Sequence, residues 1–204
     1  MLVKFQRTGE RRYAISITGT RFPDLEMNPA PGYNPFLPHD ILHLVVESLL
    51  GLKQGIFGQL AAGGHAGTFH IKAGSYRNTR EESREWRRTK KRGIRLAQLG
   101  ADDAAKSELV AYICWQEWLS RSDLKMHRQQ ASTMNQQGRH IRELMPEEQP
   151  ENVDAVMNNI CQYLGTISNY WHSLQVGESI QIRWSDLAIS EPDNKFNDIL
   201  SLSQ

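Results

Sequence analysis

Long apolar runs are missing from this chain, cysteine is scarce, and neither sign of charge outweighs the other by more than one. Each scarcity excludes something. No stretch approaches the roughly 20 apolar residues that a bilayer span needs, so a membrane partner is not expected. Met1-Leu2-Val3-Lys4-Phe5-Gln6 carries no apolar run of the kind that directs export, and a cytoplasmic location is the expectation. Cys114 and Cys161 stand far apart inside apolar patterns, which suits two reduced, buried thiols better than a disulfide. With 24 Lys and Arg against 23 Asp and Glu, the net charge is +1, so attraction to nucleic acid would have to be local.

What is present points to a folded α+β chain. Its 204 residues suffice to bury a core without disulfide or metal, and a single domain over 1–204 is expected. Val3 and Phe5, then Tyr13, Ile15 and Ile17, alternate with polar or small residues around Thr8-Gly9-Glu10, the pattern of a hairpin. Ile180, Ile182 and Trp184 alternate with Gln181 and Arg183 and predict a half-buried strand beside that hairpin. The expected architecture is a small antiparallel sheet, made of the N-terminal hairpin and the C-terminal strand, packed with several helices. Helices are predicted over about 38–50, 54–62, 77–98 and from Asp102 onward, where Leu109, Tyr112, Ile113, Gln116 and Leu119 recur at helical spacing. The clearest stripe runs Val153, Val156, Met157, Ile160, Leu164, Ile167, Trp171 and Leu174, behind Asn152 as cap, with Gly165 suggesting close packing. Thr68 to Ile71 suits a short strand. Five prolines between Phe22 and Pro38 predict an ordered loop, and residues 128–150 read as a polar, partly disordered connection.

The chemistry concentrates on one helix. In Pro38-His39-Asp40-Ile41-Leu42-His43-Leu44-Val45-Val46-Glu47, Ile41, Leu42, Val45 and Leu49 form one side. His39, Asp40, His43 and Glu47 share an arc of about 100° on the other, with no Lys or Arg among them. Histidines four residues apart can hold one divalent metal such as zinc, the arrangement used in HExxH proteases. His39 and His43 are therefore the candidate metal ligands and Asp40 the candidate catalytic carboxylate, though it is one methylene shorter than glutamate. Glu47 lies roughly 12 Å from His39 along the helix and is placed to orient the His43 ring instead. Further ligands would come from His65, His70, Asp24 or Glu26. A plainer reading is available: Asp40 offsets the helix dipole and His43 pairs with Glu47.

The stretch Leu37-Pro38-His39-Asp40 through Glu47, Gly51-Leu52, Gly55, Phe57-Gly58 and Leu60-Ala61-Ala62-Gly63-Gly64 resembles a motif of bacterial hypothetical proteins, a family that implies no activity. The HDxxH core is also similar to a ubiquinone-biosynthesis family whose metal motif adds a glutamate twelve residues after the second histidine. Here that position is Gly55. The glycines form neither GxGxxG nor a P-loop and are expected to end and closely pack two short helices.

A second feature competes for function. Between Arg77 and Gln98 nine Lys and Arg stand against Glu81, Glu82 and Glu85. Arg84, Arg87, Arg88, Lys90, Lys91 and Arg92 would form a basic face for nucleic acid or an acidic partner, with Trp86 available for stacking. Alternatively the face is merely solvated, or balanced in cis by Glu143, Glu147, Glu148, Glu151 and Asp154. Two functions follow: a metal- or ligand-binding, hydrolase-like site on the His39/His43 helix, or a non-enzymatic interaction protein acting through the basic segment.

Overall fold

The computed structural model describes residues 1–76, 79–121, 153–184, 186–187 and 189–190. The polar connection expected over 128–150 and the Asn152 cap lie outside them. Alternating residues build a six-stranded antiparallel sheet: β1 (Leu2–Gly9), β2 (Arg12–Thr18), β3 (Leu25–Ala30), β4 (His70–Ile71), β5 (Ser179–Arg183) and β6 (Ile189–Ser190), in the order β4-β3-β2-β1-β5-β6. The hairpin and the C-terminal strand do pair, with Val3 opposite both Ile17 and Ile182, and Phe5 opposite both Ile15 and Ile180. One buried row crosses all six strands, from Ile71 through Leu25, Ile17, Val3 and Ile182 to Ile189. Each such aliphatic side chain contributes about 1.5–3 kcal/mol on burial, and the register keeps the whole row on one face.

Two strands differ from expectation. The proline-rich segment was expected to be loop throughout, yet Leu25–Ala30 is β3. Pro29 fits because the pairing with β2 shifts between Ile15↔Met27 and Tyr13↔Ala30, and β4 covers only Leu25 and Glu26. Proline is tolerated at such an irregular, one-sided position, where no ladder N–H is needed. β6 is too short to show a period.

The described residues form five helices: α1 (His39–Leu49), α2 (Ile56–Ala61), α3 (Thr79–Leu99), α4 (Ala101–Arg121) and α5 (Val153–Ser173). Trp171 of α5 meets Tyr13 of β2 edge to face at 5.8 Å. α1 lies deepest: Ile41 through Glu47 are all buried, so His43 and Glu47 of its polar side are covered, while His39 is exposed and Asp40 and Leu49 are half-buried. It ends at Gly51, whose φ of 64° is the left-handed conformation glycine adopts without strain. On α4 the expected Ile113, Gln116 and Leu119 are buried, joined by Ser107, Val110, Ala111, Cys114 and Trp118, while Leu109 and Tyr112 are half-buried. α3 is peripheral. Only Thr89 and Gly93 are buried, and Ile94, expected to anchor it, is 57% exposed. No described helix is long and apolar enough to cross a membrane.

Two outcomes follow from this packing. Gly165 does not mark a close approach, because an added Cβ would meet Trp118 Nε1 at 3.7 Å, an ordinary contact. Gly165→Ala should therefore stabilise the protein by about 0.5–1 kcal/mol, read as a rise in the denaturation midpoint; a lower midpoint would contradict the packing described. Both cysteines are free and buried, and desolvation pushes Cys114 up to about 12 and Cys161 up to about 11. Neither should react with an aromatic disulfide reagent at mildly alkaline pH while folded, and both should react in denaturant.

Candidate metal centre

The geometry begins with α1. Residues four apart on a helix lie one above the other, and His39 and His43 sit in this way with ring centroids 4.5 Å apart. Their Nε2 atoms approach to 2.9 Å. Glu108, from the second turn of α4, brings its carboxylate to 3.6 Å from His43 Nε2. One ligand atom from each of His39, His43 and Glu108 lies within 4.8 Å of the others, the only such grouping of three among the described residues. Two imidazoles on tetrahedral zinc, with Zn–N bonds of about 2.0–2.1 Å, have nitrogens about 3.3 Å apart, so the pair needs to open by only about 0.4 Å.

Behind the trio stands a polar relay. His43 is 1% exposed, and its Nδ1 lies 2.9 Å from Ser107 Oγ. The Ser107 hydroxyl donates to Glu47 Oε1 at 2.9 Å. Glu47 is 0% exposed and also accepts the N–H groups of Ile56 and Phe57, each at 2.8 Å, at the start of α2. Ser107 has one hydroxyl proton, and with Glu47 ionised that proton is committed. Ser107 therefore accepts from His43 Nδ1–H, and the His43 lone pair falls on Nε2, which faces His39 and Glu108. Burial raises the Glu47 carboxyl above its ordinary value, while the N–H groups of Phe57, Ile56 and Gly58 and the Ser107 hydroxyl pull it back. Burial lowers His43 to about 4, with His39 adding to the effect, so the ring is neutral at pH 7, the form a metal requires.

The trio opens onto a cleft of about 310 Å³, which His39 and Glu108 line together with Tyr33, Asn34, Tyr112 and Trp115. The proline-rich segment forms one wall. The other wall is α4, and the Gly63–His70 segment is not among the lining residues.

The remaining candidates separate. Asp40 is not brought to the trio: its carboxyl is hydrogen-bonded by Tyr13, whose hydroxyl also reaches the Pro31 carbonyl. Burial raises Asp40, against the opposing pull of Tyr13 and His39. Glu47 acts on His43 as expected, but through Ser107 rather than by direct pairing. Of the proposed further ligands, His65 and His70 pack their rings against Trp86 at 5.5 and 5.2 Å, and Asp24 and Glu26 are not in the trio. The packing also commits Trp86, half-buried, to holding α3 against the body rather than to stacking on bases. On α3, Arg84, Arg87, Arg88, Lys90 and Lys91 are exposed, and Arg88 pairs with Glu85 at 3.1 Å. Arg92 turns back over Phe22 and donates to the Gly63 carbonyl, and Lys90 lies over Trp86.

Glu108 and Ser107 are the residues that sequence reading missed. Extending the buried α4 stripe of Cys114, Ala111 and Val110 back one turn reaches Ser107, and a polar residue on a buried stripe is the signal that marks it.

No protein-family model, curated protein or solved structure matches the chain, so geometry alone carries the functional reading.

The relay is also a structural keystone, which gives a direct check. Glu47→Ala leaves two buried N–H groups and one hydroxyl without their acceptor, and should cost about 3–5 kcal/mol in denaturant titration. Glu47→Gln keeps one acceptor oxygen and should cost less. Equal losses would show that both carboxylate oxygens are required, since glutamine keeps the volume but only one acceptor.

Proposed function

We propose that this chain is a metalloprotein that holds one divalent ion, zinc fitting best, on His39, His43 and Glu108, and carries out a hydrolytic reaction on a small molecule seated in the adjoining cleft. The observation that carries this reading is the convergence of three ligand atoms of the right types, two imidazole and one carboxylate, at the mouth of a cavity. Three protein ligands leave a coordination position for water, the feature that separates catalytic from closed structural zinc sites. When bound, the ion supplies Lewis acidity and a water acidified toward neutrality.

The chain's own residues supply the rest. His43 is held in the ligating tautomer by Ser107 and Glu47, as metal-bound histidines commonly are by a partner on the other ring nitrogen. His39 and Glu108 are exposed and give the ion its route in. Leu37, Leu42, Tyr33 and Trp115 offer an apolar bed for substrate. Asp40 does not line the cleft. In this reading its task is to fix the first turn of α1 against the sheet through Tyr13, which sets the position of His39 one residue away.

Purified protein stripped with chelator and titrated with zinc in a calorimeter should take up one ion per chain. Cobalt substitution should give the visible absorption of a four- or five-coordinate N2O site. His43→Ala and Glu108→Ala should each abolish stoichiometric binding, and Ser107→Ala should weaken it by about 10–100-fold. Hydrolysis of activated esters should be lost on stripping and restored by zinc. Absence of any stoichiometric ion among zinc, cobalt, manganese and iron would overturn the assignment, and metal binding without hydrolysis would confine it to binding.

A further inference from the structure

The metal site leaves the charge pattern of α3 unexplained. Counted at 100° per residue, Arg80, Arg84, Arg87, Lys91 and Arg95 fall within an arc of about 80°, opposite the buried Thr89 and Gly93. All five are exposed. Arg88 stands at the edge of the arc in its pair with Glu85. No acid falls inside it: Glu81, Glu82 and Glu85 all lie on the flank or inner side of the helix. From Arg80 to Arg95 the stripe runs about 22 Å along the axis.

A merely solvated helix mixes its charges so that opposite signs meet at i,i+4. Here Arg80 and Arg84, Arg87 and Lys91, and Lys91 and Arg95 set like charges at that spacing. Each such pair destabilises the helix by about 0.2–0.5 kcal/mol. The stripe thus costs stability, and among the described residues α3 is held by Trp86, Thr89, Gly93 and Arg92 on its other sides.

We infer that the outer face of α3 binds the phosphodiester backbone of nucleic acid. Four of the five cations are arginine, whose planar fork donates two hydrogen bonds to one phosphate. A stripe of about 22 Å is long enough to meet several phosphates of a duplex, which carries one negative charge per about 1.7 Å of its axis. A membrane surface suits the face less, because Ile94 and Leu99, the large exposed apolar residues of α3, fall on opposite flanks of the stripe and form no continuous apolar face for lipid. Contacts to phosphate position a protein without reading bases, so the binding is independent of sequence. It is also independent of the metal, since none of the five residues belongs to the trio.

The test is fluorescence anisotropy of the intact chain with labelled DNA and RNA duplexes of mixed sequence, the two sources of the same backbone chemistry. Binding at about 50 mM salt should fall several hundred-fold by about 200 mM, with a log–log slope of about −4.5 on DNA for five phosphate contacts. Arg84→Glu with Lys91→Glu should weaken it at least tenfold, and Arg84→Gln with Lys91→Gln by a smaller factor, with circular dichroism unchanged. Arg11→Glu with Arg12→Glu, the same charge change at the exposed hairpin turn, should leave affinity unaltered apart from the small effect of net charge. No binding at low salt would overturn the inference. So would equal losses in the α3 and hairpin variants, or tighter binding to polyglutamate or to anionic vesicles than to either duplex.

Discussion

A single buried carboxylate organises this molecule. Three donors from two other helices converge on Glu47 of α1. α2 has only six residues and no side-chain cap of its own, so its leading N–H groups would be unsatisfied in a buried place. Glu47 satisfies them from a neighbouring helix and sets a negative charge at the positive end of the α2 dipole. The position before α2 must be glycine for the same reason, since a Cβ on Gly55 would lie 2.3 Å from Glu47 Cδ. The carboxylate that anchors α2 also commits the Ser107 proton, and so decides which nitrogen of His43 is left bare. Local stability and site chemistry share one acceptor.

How much of this could be read from sequence depended on whether a residue's task was local. The hairpin and β5 were legible because period-2 alternation is written directly into Val3, Phe5, Ile15, Ile17, Ile180 and Ile182. β3 was hidden by Pro29, because the irregular pairing that excuses the proline exists only once β2 is alongside. The His39/His43 pair was legible because both residues sit on one helix. Its third partner was not, because Glu108 stands in a stretch of α4 whose Lys106 and exposed flanks resemble any solvated helix. Nor could a helical wheel of α1 reveal that its polar side is roofed. The wheel separates polar from apolar, but only tertiary contact decides which of the two meets water.

The two charged helices show opposite physical solutions. On α1, His43 and Glu47 are taken out of water and are joined through Ser107, so the geometry of each bond matters. On α3, charges are gathered on the solvent side, where water screens them and their sum rather than their individual geometry matters. The net charge of +1 therefore conceals a strongly uneven surface.

The rim of the cleft has a consequence of its own. Tyr33 and Asn34 belong to a segment without regular secondary structure, yet it is fastened from below at several points. Arg7 donates to the Tyr33 hydroxyl, Trp171 Nε1 to the Asn34 carbonyl and Ser168 to the Phe36 carbonyl, and Asn34 Oδ1 accepts the Phe36 N–H. These fasteners come from β1 and α5, at opposite ends of the chain. A guest therefore meets an aperture whose dimensions are already set. Any guest would spend none of its affinity on ordering that rim.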